Sequence, residues 1–214
     1  LRAVKLFRRV FAYEGSTTAE DYPHLLLEFV RRFNDKAVEV RAEMIKWSSK
    51  FLKTRVDPNA ALTSVPAATV MKQLRERLHD FDDTICTASI NALCDVLDKP
   101  TSTEIFPHDL VLEIGERIKD KKSGVRKTAL KRLCIAYRAY AQRCADDVPA
   151  WEMKRFDWIP GALLRAITIP DVRLHVVEPV LAMLFPAKMS ADLRSTYWLR
   201  ALNLADAFTV RCLK

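Results

Sequence analysis

One stretch of the sequence is crowded with cations. Arg117, Lys119, Lys121, Lys122, Arg126, Lys127, Lys131 and Arg132 fall within it, and only Glu116 and Asp120 oppose them. Such a cluster makes and breaks no bonds; its chemistry is reversible docking of anions, whether an acidic peptide, phosphate groups or DNA. Residues three and four apart on a helix share a face, so Lys127 and Lys131 can act together, with Lys121 and Lys122 in the adjacent turn. Arg117, Lys121, Lys122, Lys127 and Lys131 are therefore candidate partner-binding residues. A solvated helix face with excess lysine is the plainer reading of the same residues.

The remaining reactive side chains point away from catalysis. The four histidines (His24, His79, His108, His175) are far apart in sequence, whereas a zinc site needs ligands converging at about 2.0 to 2.3 Å. Asp80, Asp82 and Asp83 resemble a divalent-cation cluster, but they stand where a helix begins and acids are favoured anyway. There is no Gly-rich phosphate loop, G-x-S-x-G elbow, H-E-x-x-H pair or C-x-x-C. The five cysteines (Cys86, Cys94, Cys134, Cys144, Cys212) lack paired spacing, and most lie at apolar positions of helical patterns. They read as free thiols in a reducing, intracellular compartment. No catalytic, cofactor-binding or metal-ligating residue is expected, and no cofactor.

The elements that must position the lysines emerge from the whole chain. It has 214 residues, 50% of them hydrophobic, which suffices for a substantial core. Only four glycines occur, too few for the tight hairpins of an all-β protein. No run of about 18 apolar residues is uninterrupted by charge, so a soluble chain without a membrane span is expected. The net charge of +8, with a pI near 9.3, favours acidic partners. The start at Leu1 and the end inside an apolar pattern read as a section of a longer protein, with any targeting signal outside it.

Self-similarity supplies the architecture. Asp35, Asp80 and Asp120 each precede by five residues a β-branched apolar residue (Val40, Ile85, Val125). Nine or ten residues to either side lie Leu26, Met71 and Val111, then Ile45, Ile90 and Leu130. The Asp spacings are 45 and 40 residues, matching the period of about 40 to 47 for HEAT or armadillo units. Each unit is read as two amphipathic helices: 22–33 with 38–53, 67–78 with 83–97, and 108–118 with 124–143. The carboxylate of the turn Asp is expected to accept from free N–H groups at the start of the second helix. The fold class is thus all-α, a HEAT-repeat α-solenoid of stacked antiparallel helix pairs.

Residues 1–214 are read as one solenoid section. Its expected units are 1–14 (the end of a preceding repeat, with the apolar stripe Leu1, Val4, Phe7, Val10 and Phe11), 22–54, 66–99 and 107–144. Less regular repeats follow over 157–205, then a truncated helix over 206–214. Within 157–205, Asp157 is expected to cap a helix with Pro160 in its first turn, Asp171 to cap one reaching Phe185 past Pro179, and Ser190 to cap the last. A loop is expected over 145–149, and Trp158 and Trp198 are read as core. Trp47 stands twelve residues after its Asp, where the other units carry Ala92 and Arg132. It is a further candidate partner-binding residue if exposed, and otherwise packs between helices.

Beyond the repeat, specific wording recurs in order: Arg2 to Phe11, Phe29 to Lys36, Val40-Arg41, Leu78 to Asp83, and Arg117 to Lys121 with Val125-Arg126-Lys127. Tyr140 to Ala145, Phe156 to Gly161 and Leu184-Phe185-Pro186 complete the series. The chain resembles the family of cohesin regulators called precocious dissociation of sisters, protein five, most of all plant or green-algal members and their central section. That resemblance implies a nuclear, chromosome-associated, non-enzymatic helical-repeat scaffold for sister-chromatid cohesion. Its implied partners are the kleisin subunit of cohesin, the releasing factor Wapl and cohesin acetyltransferases, with direct DNA contact left open and no membrane. It also implies a ladder in which turn aspartates pair with the Arg of the Val-Arg step in a neighbouring unit. Asp35, Asp80, Asp120, Arg41 and Arg126 match that pattern, while Cys86 replaces the middle Arg. The rivals are a nucleic-acid-binding HEAT protein, favoured by charge, and a transport or phosphatase scaffold, favoured by fold alone.

Overall fold

The computed structural model describes residues 1–13, 15–55, 65–98, 106–143, 154–166, 182, 184–185, 189–203, 207 and 211. Every regular element among them is helical, which makes the protein all-α, of the HEAT-solenoid class. The expected loop 145–149, Asp171, Pro179, Cys144, Cys212 and most of the helix after 206 lie outside the described residues. The chain forms two compact units, Leu1–Phe106 and Pro107–Lys214.

The first unit contains α1 (Arg2–Phe11), the short α2 (Thr18–Asp21), α3 (Pro23–Val30), α4 (Val38–Arg55), α5 (Val65–Glu76) and α6 (Asp83–Leu97). Helix α4 lies at its centre, packed on α1, α5 and α6. Between α1 and α2, Gly15 takes φ +78°, a conformation open to glycine at little cost. Pro23 starts α3, where a missing N–H is harmless. The second unit contains α7 (His108–Glu116), α8 (Ser123–Arg143), α9 (Ile159–Arg165) and α10 (Ala191–Asn203).

The repeat positions face inward. Leu26, Met71, Val111, Ile45, Ile90, Leu130, Val40, Ile85 and Val125 are all buried. In the stripe expected for α1, Val4 and Phe11 are buried and Phe7 half-buried, but Leu1 and Val10 are exposed.

The first helix of each pair does not run through as expected. It tightens into a 3₁₀ turn over Arg31–Asn34, Arg77–His79 and Arg117–Lys119. The tightening closes i→i+3 bonds to Asp35, Asp80 and Asp120, at 3.2, 3.3 and 3.2 Å, satisfying groups that a helix end leaves open. Each Asp then leaves in an extended conformation and accepts from the N–H two residues on: Ala37, Asp82 and Lys122, at 3.0, 3.0 and 2.9 Å. The carboxylates therefore close Asx turns one step before the helix. In the second pair Asp82, not Asp80, caps the helix, accepting from the N–H groups of Thr84 and Ile85.

Trp47 is buried, 1% exposed, which removes it as a surface anchor. Its ring lies 4.8 Å from those of both Phe29 and Phe51, with Phe11 and Phe33 within 6.5 Å. The facing α1 contributes Phe11 to this aromatic layer, while the second repeat holds Ala92 at the equivalent position.

In the second unit Asp157 does not cap α9, whose N-cap residue is Trp158 without a side-chain bond. It instead accepts from Tyr140 Oη at 3.0 Å and pairs with Arg200 at 3.1 Å, tying α8 to α10. Ser190 does cap α10, accepting from Leu193 N at 3.4 Å. Trp158 and Trp198 are half-buried, Trp158 against Gly115 and Trp198 stacked on Phe185.

Candidate functional site

The turn before α8 is held from three sides. Arg117 pairs with the Asp120 carboxylate at 3.2 Å. The same carboxylate takes the N–H of Lys122, and Arg126 donates to the carbonyls of Asp120 and Lys121 at 2.8 and 3.0 Å. Arg126 is itself buried, so it braces the backbone from within. Helix α8 then buries Val125, Ala129, Leu130, Leu133 and Cys134. That stripe leaves Lys127 and Lys131, four residues apart, on its exposed face.

Lys121, Lys122, Lys127 and Lys131 are all exposed. Arg117 is turned to Asp120 and is only partly exposed, so its charge is shared within the turn. Lys119 reaches Glu116 at 3.8 Å. The four lysines are thus presented by a braced turn and a packed helix. They can hold carboxylates or phosphates without ordering the backbone at the moment of binding.

The equivalent turn in the first unit shows how such turns are coupled to a neighbour. Arg41 donates to the carbonyls of Asp35 and Lys36 and pairs with Asp80 of the next repeat at 2.9 Å. Asp80 is 2% exposed and also pairs with Arg77 at 3.2 Å. Arg77 in turn donates to the Phe33 carbonyl at 3.3 Å. This is the expected ladder rung, with Arg77 as a second cation that the sequence reading did not single out. Its signal was present: an Arg stands three residues before each turn Asp, at 32, 77 and 117, and each makes the same pair. Cys86, standing where Arg41 and Arg126 stand, donates its thiol to the Asp80 carbonyl at 3.0 Å. It satisfies that carbonyl without carrying a charge.

Two ionisations are displaced. The Thr84 hydroxyl holds the Asp82 carboxyl below its ordinary value; burial pushes the other way, while the N–H groups of Thr84 and Ile85 and the Arg41 charge add to the lowering. Burial pushes the Cys134 thiol up to about 12, so it stays protonated at neutral pH. Cys86, Cys94 and Cys134 are buried and form no disulfide. Among the described residues no group of His, Cys, Asp and Glu is arranged to hold a metal, and no helix is long and apolar enough to cross a membrane.

Comparison with known proteins adds sequence to this geometry. A family model described as sister chromatid cohesion protein PDS5 protein matches residues 1–214. The chain is 30% identical over 207 residues to sister chromatid cohesion protein PDS5 homolog A of Arabidopsis thaliana, covering 96% of this chain and 12% of that one. It is 29% identical to the pds5 protein of Schizosaccharomyces pombe, over 80% of this chain and 14% of the relative. Against PDS5 homolog B of Homo sapiens the identity is 30%, over 77% of this chain and 10% of the relative. The chain spans no more than 14% of the length of these three relatives. Its fold is similar to a solved structure of a Pds5–Scc1 complex, with a TM-score of 0.82 over 99% of this chain and 31% of that one, at 16% identity.

Proposed function

Because the chain belongs to the PDS5 family of sister chromatid cohesion proteins, we propose that it is a non-enzymatic section of a cohesin-regulating scaffold that docks the kleisin subunit of cohesin. The protein acts at chromosomes in the nucleus, and other parts of the scaffold bring the Wapl-type releasing factor and cohesin acetyltransferases to the same complex. Residues 22–54, 66–99 and 107–144 serve as its HEAT units. The observation that carries the docking site is the set of four exposed lysines, Lys121 and Lys122 on a turn whose own acid is already engaged by Arg117 and the Lys122 N–H, and Lys127 and Lys131 on the helix that follows. An acidic kleisin segment lays its apolar face against the helices and its carboxylates on these lysines.

The net charge of +8 favours a second reading, direct DNA binding through the same lysines. A titration separates the two. A labelled kleisin segment is added to the chain and to its Lys121→Glu, Lys122→Glu, Lys127→Glu, Lys131→Glu variant at two salt concentrations, with duplex DNA as competitor. Specific binding of the segment that weakens in the variant is expected. Failure of the segment to bind, with DNA binding that falls steeply with salt, would replace this function by the nucleic-acid one.

A further inference from the structure

A cavity of about 530 Å³ opens between α1 and α4 of the first unit. Arg8, Arg9 and Tyr13 line it from the α1 side, and Lys46, Trp47 and Lys50 from α4. This volume lies within the roughly 300 to 1,000 Å³ of ordinary ligand pockets. It is too large for a bare ion and suits a few side chains of a bound segment.

The lining already grips one carboxylate. Glu43 of α4 sits between Arg8 and Lys46, at 2.6 and 3.3 Å. Arg9 and Lys50, lining the same cavity, have no carboxylate partner among the described residues and are exposed. Trp47 forms part of the wall, with its indole N–H buried. Tyr13, 74% exposed, leaves an aromatic ring at the rim.

The geometry points to a docking site for an acidic peptide segment, one that brings carboxylates to Arg9 and Lys50 and an apolar side chain to the Tyr13 ring. The charge balance decides the class of ligand. Glu43 stands alone against Arg8, Arg9, Lys46 and Lys50, and the Tyr13 and Trp47 rings add apolar surface, which together suit a segment carrying both acidic and apolar side chains. The site stands independently of the kleisin reading, since it shares no residue with the lysine cluster.

The test uses the ¹⁵N-labelled full chain and an end-capped Glu–Glu–Phe peptide as probe, with end-capped Gln–Gln–Phe and tripolyphosphate as controls. The readout is the indole N–H resonance of Trp47, identified by its nuclear Overhauser contacts to the Phe29 and Phe51 rings. The acidic peptide is expected to shift this resonance saturably. The double variant Arg9→Glu, Lys50→Glu, whose sites are exposed and outside the core, is expected to weaken the affinity about tenfold, the size expected when two partly exposed ion pairs are lost. Lys121→Glu with Lys127→Glu is expected to leave it unchanged. No saturable shift, an equal shift with the glutamine peptide, undiminished affinity in the double variant, or a shift produced by tripolyphosphate alone would each overturn the assignment.

Discussion

Asp80 joins two repeats of the first unit through a buried carboxylate. Its carboxylate, 2% exposed, meets Arg41, Arg77 and the Asp82 N–H. Removing one partner of a buried ion pair leaves uncompensated charge behind, at a cost of about 3 to 5 kcal/mol. Asp80→Ala is therefore expected to lower unfolding stability by about that amount in urea titrations. Asp35→Ala, whose pair with Arg32 is more exposed, is expected to cost about 1 kcal/mol or less through that pair. Asp82 makes a prediction in pH. Its carboxyl lies below the ordinary value of 3.8 in the folded chain, so its stabilisation is present above that pH and is lost as pH falls through the lowered folded value. Asp82→Asn keeps a capping oxygen without the titration. The stability advantage of the unsubstituted chain over Asp82→Asn is expected to shrink below pH 3.8 in acid melts. A constant difference from pH 7 to pH 2 would contradict the assignment. Trp47 belongs to the core, and Trp47→Ala is expected to cost about 3 to 5 kcal/mol, read from the same urea titrations.

Among the elements, α7 meets Trp158, just ahead of α9, at Gly115. A Cβ there would clash with Trp158 Cη2 and stand 2.8 Å from its Cζ3, while one at Gly124 would meet nothing within 4 Å. Gly115→Ala is accordingly expected to cost about 1 to 3 kcal/mol by overpacking, with a lowered melting temperature, and Gly124→Ala to leave it unchanged or slightly raised. The helix pairs were legible in the sequence because burial imposes the same register on each repeat: Leu26, Met71 and Val111 all face inward. The 3₁₀ endings were not, because Phe33, Leu78 and Ile118 are buried there as they would be in a continued α-helix. The turn aspartates were legible, yet their Asx-turn geometry depends on which N–H lies within reach, and spacing alone does not show that. Trp47 stayed open between surface and core because a comparison of positions across repeats does not show which rings surround it; Phe11, Phe29, Phe33 and Phe51 do. The cavity of Arg9 and Lys50 gave no sequence signal, since α1 and α4 meet across a separation such as the 35 residues from Arg8 to Glu43. The lysine cluster was readable as charge; that Arg117 is turned inward to Asp120 required coordinates.

For the whole molecule, a repeat scaffold works by presenting a fixed surface, and its energetics are those of competition between partners. The chain belongs to the PDS5 family, and the braced turn before α8 offers preorganised cations to an acidic partner. Both meet in the proposal that Lys121, Lys122, Lys127 and Lys131 lie beneath the kleisin segment. Lysine acylation footprinting of the chain, with and without a saturating kleisin segment and read by mass spectrometry, tests it directly. Protection concentrated on those four lysines, with the equally exposed Lys5, Lys36 and Lys72 still reactive, is the predicted result. A bound segment that leaves the four as reactive as in the free chain would contradict the account and move the kleisin contact elsewhere.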